Sequence, residues 1–120
     1  MNAKRIGAFL AAAGVALGAF GAHGLQGRLA PEFLEIYKTS TQYLMMHALA
    51  LVLYGISGIK TEWPGRCFAW GILFFCGSLF ALVATGVKAL GAITPIGGLL
   101  FIAGWIGFGI HARPAAQKEN

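Results

Sequence analysis

Four long stretches without a charged side chain limit this chain more than any other feature. Ile6 to Leu25, Tyr43 to Ile59, Cys67 to Val87 and Ala89 to Ile110 contain no Asp, Glu, Lys or Arg. The first, wound as an α-helix, covers about 30 Å, the thickness of bilayer hydrocarbon. Lipid offers the backbone no hydrogen-bond partners, so only helices and closed barrels can cross it. A barrel needs alternating segments of about ten residues, and these runs are continuous. The expected fold class is all-α: a four-helix transmembrane bundle forming one domain over 1–111, followed by a polar cytoplasmic tail over 112–120.

Composition closes off the water-soluble alternative. Of 120 residues, 58% are hydrophobic and 11% charged, against about 25% charged in ordinary soluble domains. So short a chain keeps too much surface to hide that many apolar side chains from water. The formal charge of +5 comes from basic residues set singly or in pairs at the ends of the apolar runs. That distribution reads as topology signals rather than a nucleic-acid-binding face, and no nucleic-acid partner is expected.

Lys4-Arg5 followed by an apolar run also describes a secretory leader. However, the run continues to Leu25, and a cut after Ala22 would place bulky Phe20 where a small residue is required. A retained first span is therefore expected. Cys67 and Cys76, nine residues apart on one helix, are separated by about 13 Å of rise, too far for a disulfide. They read as inert core thiols.

Short links make successive spans antiparallel neighbours. With the N-terminus inside, Lys4, Arg5, Lys60, Arg66, Arg113 and Lys118 fall on the inner side, and Arg28, Lys38 and Lys88 on the outer. The excess places both termini in the cytoplasm of a bacterial inner (plasma) membrane protein. Trp63, Trp70 and Trp105 then fall near the inner interface. The link from Gln26 to Gln42 is longer. Pro31-Glu32 resembles a helix start, and Phe33, Leu34, Ile36 and Tyr37 alternate with Glu32, Glu35 and Lys38 at helical spacing. This predicts a short amphipathic helix at the outer interface that leads into the second span.

On a helical wheel Ser40, Tyr43, His47, Tyr54 and Ser57 share one stripe of the second span, with Met45, Leu49, Val52, Leu53 and Ile56 facing away. Cys67, Gly71, Ser78, Ala81 and Thr85 share a face of the third. Small residues let membrane helices approach closely, so Gly14, Gly18, Gly77, Gly104 and Gly107 are candidate packing positions, Gly14 and Gly18 as a GxxxG pair.

His47 is the ionisable side chain set well inside an apolar span, and such residues are costly and often functional. A core histidine bonded to a neighbouring helix and a proton or ligand site are both open readings. Placed in the outer half with it are His23, Gln42, Tyr43 and Thr94-Pro95, which looks like an N-cap and first helical residue. Gly97 and Gly98 follow, with backbone N–H groups a polar ligand would find. Together with Ser78 these residues form the candidate polar or ligand pocket.

Two histidines with Glu32 or Glu35 lack the ligand spacing of a metal site, and no metal or cofactor is expected. Asp is absent, no Glu lies within a span and GxSxG is missing, so catalytic sets lack members; no enzyme is expected.

Gly18-Ala19-Phe20-Gly21-Ala22-His23-Gly24-Leu25, then Tyr43 with His47-Ala48-Leu49-Ala50-Leu51, resemble domain-of-unknown-function family number 423, the transmembrane-protein-256-like proteins. Phe75, Gly77-Ser78-Leu79-Phe80, Thr94-Pro95-Ile96-Gly97-Gly98 and Gly104-Trp105 are similar to its later helices. Cys76 and Phe80 depart from it where Ser and Tyr are usual. The resemblance implies a four-helix protein of the bacterial or mitochondrial inner membrane and brings no established activity. The favoured reading is a non-enzymatic membrane component acting through helix contacts, as a homo-oligomer or accessory subunit, with membrane lipids as its other partners. The alternative is a small permeation or ligand-binding protein using the outer polar pocket.

Overall fold

A computed structural model describes residues 1–112 and Pro114; the expected tail over 112–120 falls almost wholly outside the described residues, as do Arg113 and Lys118. The described chain forms four antiparallel helical rods and no strand. The first, α1, runs Ala3–Leu25 and closes in a π-wound turn over Gly21–Leu25. Asn2 caps it, its Oδ1 accepting from the Arg5 N–H at 3.2 Å, as a short polar side chain does for an unpaired first-turn donor. The second, α2, is Pro31–Ile56. The third, α3, is Trp63–Thr85, with a π-wound turn Ile72–Cys76 inside it. A 3₁₀ turn over Lys88–Ala92 leads into α4, Thr94–His111.

Local sequence explains most ends. Pro stands in the first turn of α2, α3 and α4, where its missing N–H costs nothing. Gly86 stops α3 in the left-handed conformation, φ +74°, and its N–H donates back to the Leu82 carbonyl at 2.7 Å. Any side chain there would be strained. Ser57 closes α2 by donating from Oγ to the Tyr54 carbonyl at 2.7 Å.

Three rods are long and apolar enough to cross a membrane: Ala3–Leu25, Trp63–Thr85 and Lys88–His111. In α2 the early turns carry Glu32, Glu35 and Lys38, followed by the polar run Thr39 to Gln42. The predicted interfacial segment is not a separate element. Residues 31–42 are the opening turns of the same 26-residue helix, because nothing between Glu32 and Tyr43 breaks a helix: no Gly, no Pro, no capping geometry.

The rods order side by side. α1 packs on α2, α2 on α3, and α3 on α4. Antiparallel register is set by glycines facing bulk. In α1 the residues against α2 recur every seven positions. Gly7 abuts the Ala48 carbonyl and Val52, Gly14 abuts Met45 and Leu44, and Gly21 lies under the Tyr37 ring. A seven-residue repeat keeps one seam facing a partner helix along its whole length. Between α3 and α4 the same device alternates in direction: Gly71 receives Phe101, Gly97 receives Phe75 and Gly104 receives Phe68.

The sequence-based stripes need correction here. Gly18 and Gly77 sit off the helix–helix contacts: among the described residues, beyond its chain neighbours and its own helical backbone, no heavy atom lies within 4 Å of a Cβ built on Gly18, and Gly77 meets only Leu73 of its own helix. The first span turns its seven-residue seam to α2, which leaves the second member of the GxxxG pair off the contact. Met45 and Val52 do not face away from the bundle either; both meet α1, while Leu49, Leu53 and Ile56 are exposed.

Candidate functional site

The interior polar groups of the bundle lie in two layers. One surrounds the π turn of α3. A π turn holds one residue more than an α turn and loosens the carbonyls around it, and serines take them up here. Ser40 of α2 donates from Oγ to the Cys76 carbonyl at 3.1 Å. Ser78 donates from Oγ to the Phe75 carbonyl at 3.0 Å. Its single proton is thereby used, so in the 2.6 Å contact between Ser78 Oγ and Thr94 Oγ1 the threonine is the donor. Three helices are tied at one level. Gly97 allows it, since a Cβ on that residue would stand on the backbone nitrogen and Cα of Phe75.

The other layer centres on His47, which is 2% exposed. Its Nδ1 lies 2.8 Å from the Tyr43 carbonyl, and its Nε2 lies 3.0 Å from Trp105 Nε1. A carbonyl only accepts and an indole N–H only donates. These two partners therefore fix one form of the ring, neutral, with the proton on Nδ1 and the Nε2 lone pair accepting from Trp105. Phe101 stacks on the imidazole, centroids 3.5 Å apart and planes within 10°. Phe68 flanks it at 6.0 Å and the Tyr43 ring at 5.9 Å. Tyr43 also stacks on Phe75 at 4.5 Å, so the aromatic column joins this layer to the one above.

The placement corrects the sequence-based grouping. Because α2 begins at Pro31 and not near Tyr43, His47 lies about 24 Å along the helix from its start and only about 13 Å from its end at Ile56. It shares a level with Trp105 and Phe68, not with Thr94. Of the candidate residues, Ser78, Thr94 and Gly97 come together at the π turn, with Gly98 beside Phe75. His47 and Tyr43 form the second layer, and His23 and Gln42 are exposed. Thr94 is the first residue of α4 rather than its cap, which is Ile93, and its hydroxyl reaches across to Ser78. Gly97 is buried under Phe75, so its N–H group is not presented to a ligand. Gly14, Gly104 and Gly107 do pack, the last against Trp63 and Pro64.

Sequence reasoning missed Trp105 as the partner of His47 and treated it as an interfacial anchor. It also missed Tyr37, whose hydroxyl donates to the Leu17 carbonyl. Spacing contains no signal for the first. Gly7, Gly14 and Gly21 contain one for the α1 seam, legible as a seven-residue repeat.

Every buried side-chain nitrogen and oxygen among the described residues has a hydrogen-bond partner, as a low-dielectric interior demands. Both thiols are free, Cys76 buried and Cys67 partly so. Open space lies elsewhere, at the end carrying Met1, the 57–62 link and His111. One cavity there, of about 490 Å³, is lined by Lys4, Tyr54, Gly55, Lys60, Glu62 and Arg66 among others. A smaller one beside it, of about 360 Å³, shares Lys60 and includes His111.

Comparison with known proteins gives one consistent result. The family model described as protein of unknown function DUF423 matches residues 17–98. Similar curated proteins are named UPF0382 membrane proteins. That of Staphylococcus aureus strain bovine RF122 / ET3-1 is 49% identical over 105 residues, covering 84% of this chain and 86% of the relative. That of Staphylococcus haemolyticus is 44% identical with the same coverage, and that of Staphylococcus epidermidis strain ATCC 35984 is 50% identical, again covering 84% and 86%. No solved structure matches.

Proposed function

This chain belongs to the protein family of unknown function DUF423, and on that premise we propose a non-enzymatic membrane component that works through helix contacts, as a homo-oligomer or as an accessory subunit of a larger complex. All four rods cross the bilayer of a bacterial inner (plasma) membrane with both termini cytoplasmic. Lys4, Arg5, Lys60 and Arg66 at one end against Arg28, Lys38 and Lys88 at the other support that orientation. At 26 residues α2 is about 39 Å long, roughly 9 Å more than the hydrocarbon needs. The excess is its opening turns, where Glu32, Glu35 and Lys38 meet the head groups.

The observation that carries this reading is the outward face of α1. Ala8, Ala12 and Ala16 recur every four residues and are all exposed, a small-residue stripe of the kind through which membrane helices approach one another, flanked by the exposed side chains of Phe9, Val15 and Phe20. The outward face of α4 is built differently: Leu99, Ile102, Ile106 and Ile110 are exposed there and suit lipid chains. Interior polar groups bonded to each other agree with a structural interior.

Cysteine cross-linking in native membranes tests it, in a Cys67→Ser background. Ala12→Cys is expected to link to a second polypeptide, its own copy or a partner, while Ile106→Cys stays monomeric. No cross-link at Ala12, or equal cross-linking at both sites, rules out α1 as the contact face.

A further inference from the structure

The cavity of about 490 Å³ at the end carrying Met1 has a composition unlike the rest of the molecule. Lys4, Lys60 and Arg66 line it, with Glu62 as its one acidic wall residue. Glu62 Oε2 is taken by Arg66 at 2.9 Å, which leaves most of the guanidinium's five donors free. Neither Lys4 nor Lys60 forms an ion pair among the described residues. Three positive groups from α1, the 57–62 link and α3 thus converge on one hollow, with a net positive field.

The hollow is built rather than incidental. The Lys4 stem and backbone lie across Gly55, where a Cβ would fall 2.6 Å from Lys4 Cγ and 2.7 Å from its nitrogen. Any larger residue at 55 would push α1 and its lysine away. The Tyr54 hydroxyl donates to the Thr61 carbonyl at 2.6 Å, and Ser57 Oγ accepts from the Ile59 N–H at 3.2 Å. These bonds fold the link that presents Lys60 back over the end of α2. Tyr54 and Ile59 add apolar surface to its wall.

We propose that this cavity is a binding site for a phosphate group, presented to it by the head group of an anionic phospholipid. Basic hollows between membrane helices at the cytoplasmic surface are suited to such head groups. The cavity's place at the end of the rods, level with the head groups in the orientation proposed above, favours a lipid over free phosphate as the source. The lipid assignment rests on the rods lying in a bilayer as proposed above; the phosphate chemistry does not, and the two are tested separately.

In phosphatidylcholine nanodiscs doped with phosphatidylglycerol, native mass spectrometry of the intact protein is expected to show phosphatidylglycerol retained in preference to phosphatidylcholine. Lys4→Gln with Lys60→Gln should lower that retention about fivefold per charge removed, and the far-end pair Arg28→Gln with Lys38→Gln should leave it unchanged. In detergent, inorganic phosphate is then titrated against thermal unfolding. Saturable stabilisation that the first pair of substitutions removes, without a phosphatidylglycerol preference, assigns the site to free phosphate and overturns the lipid source. No preference and no stabilisation, or equal losses from the two pairs, overturns the site. Lys60 is exposed on the link after α2, so Lys60→Gln alone serves as the variant that keeps the fold and should show the single-charge loss.

Discussion

The two helix pairs at the flanks solve one problem in different ways. Between α1 and α2 the glycines of a single helix, Gly7, Gly14 and Gly21, yield to the other. Between α3 and α4 each helix yields in turn, with Gly71 under Phe101 and Gly97 and Gly104 under Phe75 and Phe68. The first arrangement is a smooth seam that leaves the other side of α1 free to present small residues. The second interlocks and carries one hydrogen bond across it, from Thr94 to Ser78, with another from Trp105 of α4 to His47 of α2. The first carries one as well, from the Tyr37 hydroxyl of α2 to the Leu17 carbonyl of α1. Lipid supplies no hydrophobic drive between helices, so fit and polar bonds must hold them. The difference is that a slip of the interlocked pair meets a clash from either helix, whereas the α1 seam is carried by the glycines of one helix alone.

Three substitutions break or sharpen that contrast. Gly97→Ala should have the largest effect, a loss of about 3 kcal/mol in reversible unfolding in mild detergent. Its new methyl meets the Phe75 backbone, which cannot rotate aside, and overpacking costs about 1–3 kcal/mol and occasionally more. A loss under about 1 kcal/mol would mean that the interlocked pair can shift as a smooth seam does. Next comes His47→Leu, which leaves the Trp105 N–H unpaired, at a cost of about 1–2 kcal/mol. A double-mutant cycle with Trp105→Phe should show coupling of about 0.6 kcal/mol and at most about 1.7; additive effects would show that the bond contributes nothing. Gly18→Ala should be smallest. Among the described residues nothing stands within 4 Å of the added methyl, so stability should stay within about 0.5 kcal/mol. A large loss would place a second contact on α1 that the monomer does not reveal.

The sequence carried the periodic and local parts of this structure well. Uncharged runs locate three of the four helices to within a few residues, Pro31 marks the start of α2, and Ser40 and His47 of its stripe face inward while Ser57 is exposed. It failed where geometry depends on pairing across the chain. His47 groups with Thr94 only if the second helix starts at Tyr43; charged side chains do not end a helix, and α2 runs on through Lys38, Glu35 and Glu32 to Pro31. Trp105 reads as an interfacial indole until antiparallel register brings it beside His47. The small residues of the first span do mark a packing face, but the four-residue spacing of Gly14 and Gly18 points off the seam that the seven-residue spacing of Gly7, Gly14 and Gly21 sets. Nothing in Ile72 to Cys76, five ordinary apolar residues, announces a π turn.

That turn has a consequence for how α3 is phased. One inserted residue rotates everything after it by about 100° relative to an unbroken α-helix and displaces it by about 1.5 Å. Before the insertion, Phe68 and Gly71 point at α4; beyond it, Phe80 meets Tyr37 of α2 at 5.5 Å while Ser78 still reaches Thr94. The surplus residue works as a clutch between two segments of one rod, letting each keep its own mesh. Regular winding through the same stretch would engage one set of teeth and strip the other.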